Sequence, residues 1–267
     1  TAGSLTSSAY QFAGCTSLKN VTFLGNVTLL GGYVFSGCTS LETVVFPESL
    51  KQIGKNCFEN CTSLKSVTIP ANVPAMTLGE KVFMNCSSLE AIALPDKCTE
   101  ITNYAFQGCS SLREITFNKV VTIGVNAFDG CVALESIELP STLKTIKAEA
   151  FYNTGLITIE IPANCTTVAN WSNHNIFVGS NNLQRIDVNP ANTAFSSIDG
   201  CLATADMEIA AVPPTKTGKL VLPTDYTLAG HALEGCLGIT EVTLDAGMTE
   251  IADYALFGSG VTTVTIP

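Results

Sequence analysis

The sequence predicts a β-rich α/β solenoid of about ten stacked coils, with a parallel sheet along one face and short helical or 3₁₀ turns elsewhere. Three observations predict it. An aromatic residue recurs every 22 to 25 residues through the first half of the chain, a cysteine follows it by three positions, and a short alternating apolar run follows the cysteine.

The aromatic–cysteine pairs are Phe12/Cys15, Phe35/Cys38, Phe58/Cys61, Phe83/Cys86, Phe106/Cys109 and Phe128/Cys131, and the series continues through Phe151, Phe177, Leu233 and Leu256. Each cysteine precedes a Leu-x-x-Val/Ile-x-apolar pattern that proline usually closes, as in Leu41, Val44, Phe46, Pro47 and Leu64, Val67, Ile69, Pro70. Period-two alternation marks a short strand with one buried face. A second apolar pair follows, such as Leu50 and Ile53 or Leu143 and Ile146. The segment from Ile101 to Cys109 is too short for an independent helix, so it predicts one helical or 3₁₀ turn, with Ala105 and Phe106 inward and Gly108 closing the turn. Repeats seven and ten lose one residue and the cysteine, running from Phe151 to Leu156 and from Leu256 to Val261. No coil can bury its apolar stripe alone, so the coils must stack, with strands about 4.8 Å apart.

Stacking places Cys15, Cys38, Cys61, Cys86, Cys109, Cys131 and Cys236 in one interior column. Parallel Cα–Cβ vectors one coil apart do not suit a disulfide, so free buried thiols are expected. Cys98 and Cys165 fall where other repeats carry Val or Leu, Cys57 takes an alanine position, and Cys201 has no assigned place. The one close pair, Cys57 and Cys61, occupies two repeat positions and lacks the second pair or spaced histidines that zinc needs. The two histidines, His174 and His231, have no nucleophile at useful spacing, and no glycine-rich phosphate loop is present. No catalytic residue, metal or cofactor is therefore expected.

Composition narrows the partners. Apolar residues make 46% of the chain and charged residues 13%, which provides a core and excludes disorder. A net charge of −10, from 23 acidic against 13 basic residues, argues against nucleic acid and anionic membrane surfaces. No run approaches the roughly 18 apolar residues of a membrane span. Residues 1–10 show no basic segment followed by an apolar one, and a chain that begins at Thr1 without methionine leaves room for a removed signal or anchor.

The recurring unit Ile-Thr-x-x-Ala-Phe-x-Gly-Cys-x-Ser-Leu-x-x-Ile-x-Ile-Pro resembles the BspA-like leucine-rich repeat, and the resemblance covers nearly the whole chain. It implies a right-handed leucine-rich-repeat solenoid with its sheet on the concave face. The 56-residue interval between Phe177 and Leu233 resembles the β-hairpin insertion of that family, placed at about 190–222 with Thr204 to Asp206 near its tip. Ile209 and Val212 are its expected core contacts, so residues 1–267 are taken as one solenoid domain. The resemblance further implies a secreted or cell-surface bacterial protein that binds host extracellular proteins or other cells without catalysing a reaction.

Residues two and four after each repeat leucine face solvent. This column is small and neutral from Asn20/Thr22 to Ala91/Ala93, then acidic at Glu114, Glu138, Glu160 and Asp187. It predicts a docking groove for a basic protein segment or a cation, against the plainer view that such residues suit exposed strands and solubility. A smaller insertion at 163–176 carries Trp171 and His174 beside Asn170 and Asn173, a candidate stacking edge for a glycan. A structural spacer within a larger surface protein is the remaining alternative.

Overall fold

A computed structural model describes residues 9–169, 175–248 and 250–266. The repeat leucine opens a three-residue strand in each of the early coils. Strands Thr43–Val45, Ser66–Thr68 and Ala91–Ala93 each bury only their middle residue. Those middle residues lie opposite one another in a parallel ladder, Val21 to Val44, Val44 to Val67, Val67 to Ile92 and Ile92 to Ile115. A slip of one residue would turn every one of them to water, so the repeat fixes the register. This main sheet runs unbroken from Asn20–Thr22 to Glu114–Thr116. It resumes with Thr158–Ile161 beside Arg185–Val188, and again with Gly218–Val221, Ile239–Thr243 and Thr263–Thr265. A second face carries two-residue strands that pair in the same parallel way, among them Glu100–Ile101, Thr122–Ile123, Thr145–Ile146 and Thr167–Val168.

The third face corrects the expected helical or 3₁₀ turns, and with them the α/β assignment. The described residues contain no helix. Two residues of most turns are left-handed, one two positions before the aromatic and one two positions after it, as at Tyr33 (φ 61°) and Gly37 (φ 73°). A right-handed helix cannot pass through either. Half of the turn amides bond within the coil, Ser36 to the Tyr33 carbonyl (3.2 Å) and Cys38 to that of Phe35 (3.0 Å). The alternate amides reach the next coil, Tyr33 to Lys55 (2.9 Å), Phe35 to Cys57 (2.9 Å) and Gly37 to Glu59 (2.7 Å). A helix would keep these bonds to itself, whereas here they tie coil to coil and add to the sheet ladders. The expected role of Gly108 as turn closer holds, with φ 73°.

The core is a set of columns along the stack. From Phe12 to Phe177 the aromatic rings lie 5.3–6.1 Å apart, centroid to centroid, within 18° of parallel. Beside them run the cysteines, all eleven free and all but Cys15 buried. These thiols do more than fill space: Cys61, Cys86 and Cys109 each donate, at 3.1 Å, to the carbonyl of the aromatic residue one coil back. In coil eight Ser180 stands at the cysteine position and its hydroxyl donates to the Phe151 carbonyl at 2.8 Å. Burial pushes the thiols up, to about 12 for Cys61 and Cys236 and about 11 for Cys98, Cys165 and Cys201.

The long interval contains antiparallel strands Phe195–Ile198, Cys201–Thr204 and Glu208–Ala211. Its first turn is Asp199–Gly200, with φ 48° and 74°, the two-residue loop that matches strand twist. The second turn lies at 205–207, close to the tip read from sequence. Glu208–Ala211 then joins the second face beside Thr227–Leu228, and Val212 takes the aromatic's role, its amide bonded to the Ala232 carbonyl at 3.0 Å. Ile209 and Val212 are buried, as is Cys201.

Candidate functional site

The outward column of the main sheet is exposed at three of the four acids read from sequence, while Asp187 is half-buried. In Glu114–Thr116 the pattern is exposed, buried, exposed, and Glu138 and Glu160 are likewise exposed. The structure divides the four acids into two groups. Glu160 lies directly opposite Asp187 across a parallel pair, a placement of like charges that is unfavourable unless compensated. Compensation comes from Arg185, whose Nη2 and Nε donate to Asp187 Oδ1 at 2.6 and 3.0 Å, and from Asn189, which donates to Glu160 at 3.2 Å. Further along, Glu241 is held by its register neighbour Lys219 at 2.5 Å.

Glu114 and Glu138 have no ion-pair partner among the described residues. They flank a break in the main sheet. Residues 136–138 form no strand, and a cleft of about 290 Å³ lies over coils five and six, as one of about 440 Å³ lies over the fully paired coils one and two. Its walls include Arg113, Glu114, Thr116, Asn118, Ser136 and Glu138. Ile137 and Leu139, the inward residues of this coil, are only partly buried, while Val67, Ile92, Ile115 and Ile159 are buried at the position of Ile137. Coil ten carries the same one-residue shortening as coil seven and keeps its pairing, Val242 opposite Val264, so the shorter turn is not what opens the sheet. Arg113 and Asn118 were not singled out from sequence, because Leu134-Glu-Ser-Ile-Glu-Leu139 reads like every other repeat.

Trp171 and His174 lie outside the described residues, as do Asn170 and Asn173. His231 is buried, with Nδ1 3.0 Å from Glu234 and its ring stacked on Tyr254 at 5.1 Å. The described residues hold no cluster of three or more metal-ligating side chains, and no helix long and apolar enough to cross a membrane.

The model of the BspA type leucine-rich repeat region matches in six copies over residues 6–112, 99–201 and 215–267. The chain is similar to the solved structure of a leucine-rich cell-surface protein of Faecalibacterium prausnitzii, with 27% identity and a TM-score of 0.78 over 93% of this chain and 67% of that one. It shares its fold with the pneumococcal vaccine antigen PcpA (21% identity, TM-score 0.61, 90% of this chain and 56% of that one). A leucine-rich repeat protein of Bacteroides ovatus also shares it (21%, 0.61, 97% and 76%). The chain thus spans just over half the length of the second of these proteins. No curated protein matches the sequence.

Proposed function

This chain belongs to the BspA-type leucine-rich repeat family, and from that premise we propose that it is a non-enzymatic binding module, displayed on a bacterial surface or secreted, that docks a basic segment of a partner protein on its main sheet. The observation that carries the reading is the placing of Glu114, Glu138 and Glu160 on one exposed face of the stack, with no cation paired to the first two among the described residues. Low charge elsewhere on that face, from Asn20 to Ala93, confines the negative field to coils five to eight. The similarity to a cell-surface protein supports the location, and membership of a repeat family supports a role in binding.

Calorimetry with a lysine-rich peptide tests it. Glu138→Lys combined with Glu160→Lys is expected to weaken binding by about tenfold or more at low ionic strength, with a smaller loss at high salt. Equal affinity for the altered and unaltered chains would remove the acidic face from the account.

A further inference from the structure

We propose that the cleft between coils five and six is a strand-addition seat, which accepts an extended segment of the partner protein that alternates apolar and basic side chains. The proposal rests on the acidic-face reading and names how that face would grip its ligand.

In several coils the amide just after the main-sheet strand donates to the next coil, Phe46 to Thr68 (3.0 Å), Leu94 to Thr116 (2.8 Å) and Leu244 to Thr265 (3.1 Å), while Phe23 and Ile69 make no such bond. The equivalent bond from Phe117 to the Glu138 carbonyl is not made. The amide that opens each strand bonds back, Lys65 to Glu42 (2.8 Å) and Arg113 to Glu90 (2.9 Å), yet Glu135 makes no such bond to Arg113. Coil six is nonetheless held on its other two faces. The Phe106 amide reaches Ala127 at 2.9 Å, and Thr122 pairs with Thr145. The break is therefore local to the sheet that carries the acids, and it extends to the coil-seven side of residues 136–138, where Ile157 to Glu135 (3.0 Å) is the bond that remains.

The chemistry of the two edges selects the ligand. A cation would use only the freed carbonyls and an anion only the freed amides, whereas an extended main chain offers donors and acceptors in alternation and satisfies both. Admitting a strand needs the edges to part by up to one strand spacing, about 4.8 Å, and the missing bonds are the ones that would resist it. Side chains of the added strand that turn inward meet Ile115 and the partly buried Ile137, while those that turn outward lie beside Glu114 and Glu138. The first pair favours an aliphatic residue and the second a lysine or arginine.

Amide hydrogen exchange followed by NMR on the full chain tests the proposal, with a short synthetic peptide of alternating valine and lysine and a copy bearing N-methylated valines. In the free chain Phe117 and Glu135 are expected to exchange about 100-fold faster than Leu94 and Arg113. Exchange as slow as those controls would overturn the seat. The unmethylated peptide is expected to slow both amides by about tenfold or more and to bind about tenfold more tightly than the methylated copy, which has the same charge but lacks the donors. Equal binding of the two peptides, without slowed exchange but lost in the Glu138→Lys, Glu160→Lys chain, would reject the seat and keep the acidic face. Binding of neither peptide would reject both.

Discussion

Raising the pH from 7.5 to 9.5 should unfold this protein through its cysteines. Nine thiols, Cys57, Cys61, Cys86, Cys98, Cys109, Cys131, Cys165, Cys201 and Cys236, are buried, and burial raises the pKa of each above its ordinary value. The folded chain therefore holds neutral thiols. Their contribution is complete below the unfolded value, about 8.5, and is lost as pH rises from there toward the folded values. One unit above 8.5, each thiol that ionises only on unfolding costs about 1.4 kcal/mol, and nine together cost about 13 kcal/mol. That equals or exceeds the whole stability of most domains, about 5–15 kcal/mol. Lysine and tyrosine titrate about a unit or more higher, so the window belongs to cysteine. The assay is urea unfolding by circular dichroism at each pH, with thiolate absorbance and thiol-reagent labelling recorded alongside. Labelling should reach Cys15 alone in the native state, and the thiolate signal should appear together with unfolding. Unchanged stability at pH 9.5, or gradual ionisation of a folded chain, would refute the buried column.

Two substitutions examine the columns themselves. Phe128 is fully buried, with rings 5.6 Å away on one side and 5.5 Å on the other, so Phe128→Ala should lower stability by about 3–5 kcal/mol in urea unfolding. Ser180→Ala strands the Thr154 amide, which donates to the Ser180 hydroxyl at 3.0 Å, leaves the Phe151 carbonyl only the longer bond from the Thr154 hydroxyl at 3.3 Å, and should cost about 1–3 kcal/mol. Ser180→Cys should recover most of that loss, because a thiol fills the same role in six other coils; no recovery would mean that size alone governs the position.

The stack was legible because its signal is repeated. Phe12 to Phe177 and the alternating strand residues each report one fact many times, so spacing alone assigns them to columns and fixes which strands pair. The turns were misread because local propensity was weighed without the neighbouring coil. Gly37, Asn60, Asn85 and Gly108 announce the left-handed position after the aromatic. The one before it falls on Tyr33, Lys81, Tyr104 and Glu149, none of which favours positive φ. Bonds such as Tyr33 to Lys55 hold that conformation, and no window within one coil contains them. The first hairpin turn was available as Asp199–Gly200, but only the tip at Thr204 to Asp206 was named from sequence, and that is the second turn.

The same logic explains why the acidic face was only half visible. Outward positions follow from alternation, so Glu114, Glu138, Glu160 and Asp187 could be assigned to one column before any coordinate. Their differences come from neighbours across the ladder: Arg185 compensates Asp187, and the loss of pairing at residues 136–138 leaves Glu114 and Glu138 on either side of a cleft. In a repeat protein the consensus tells where a residue points, and departures from the consensus usually tell where function lies. Here the departure is in pairing and not in residue type, since Leu134, Ile137 and Leu139 all obey the pattern. A solenoid can thus leave one coil of its sheet unpaired without changing the letters of its repeat, because the other two faces carry enough coil-to-coil bonds to keep the stack in register.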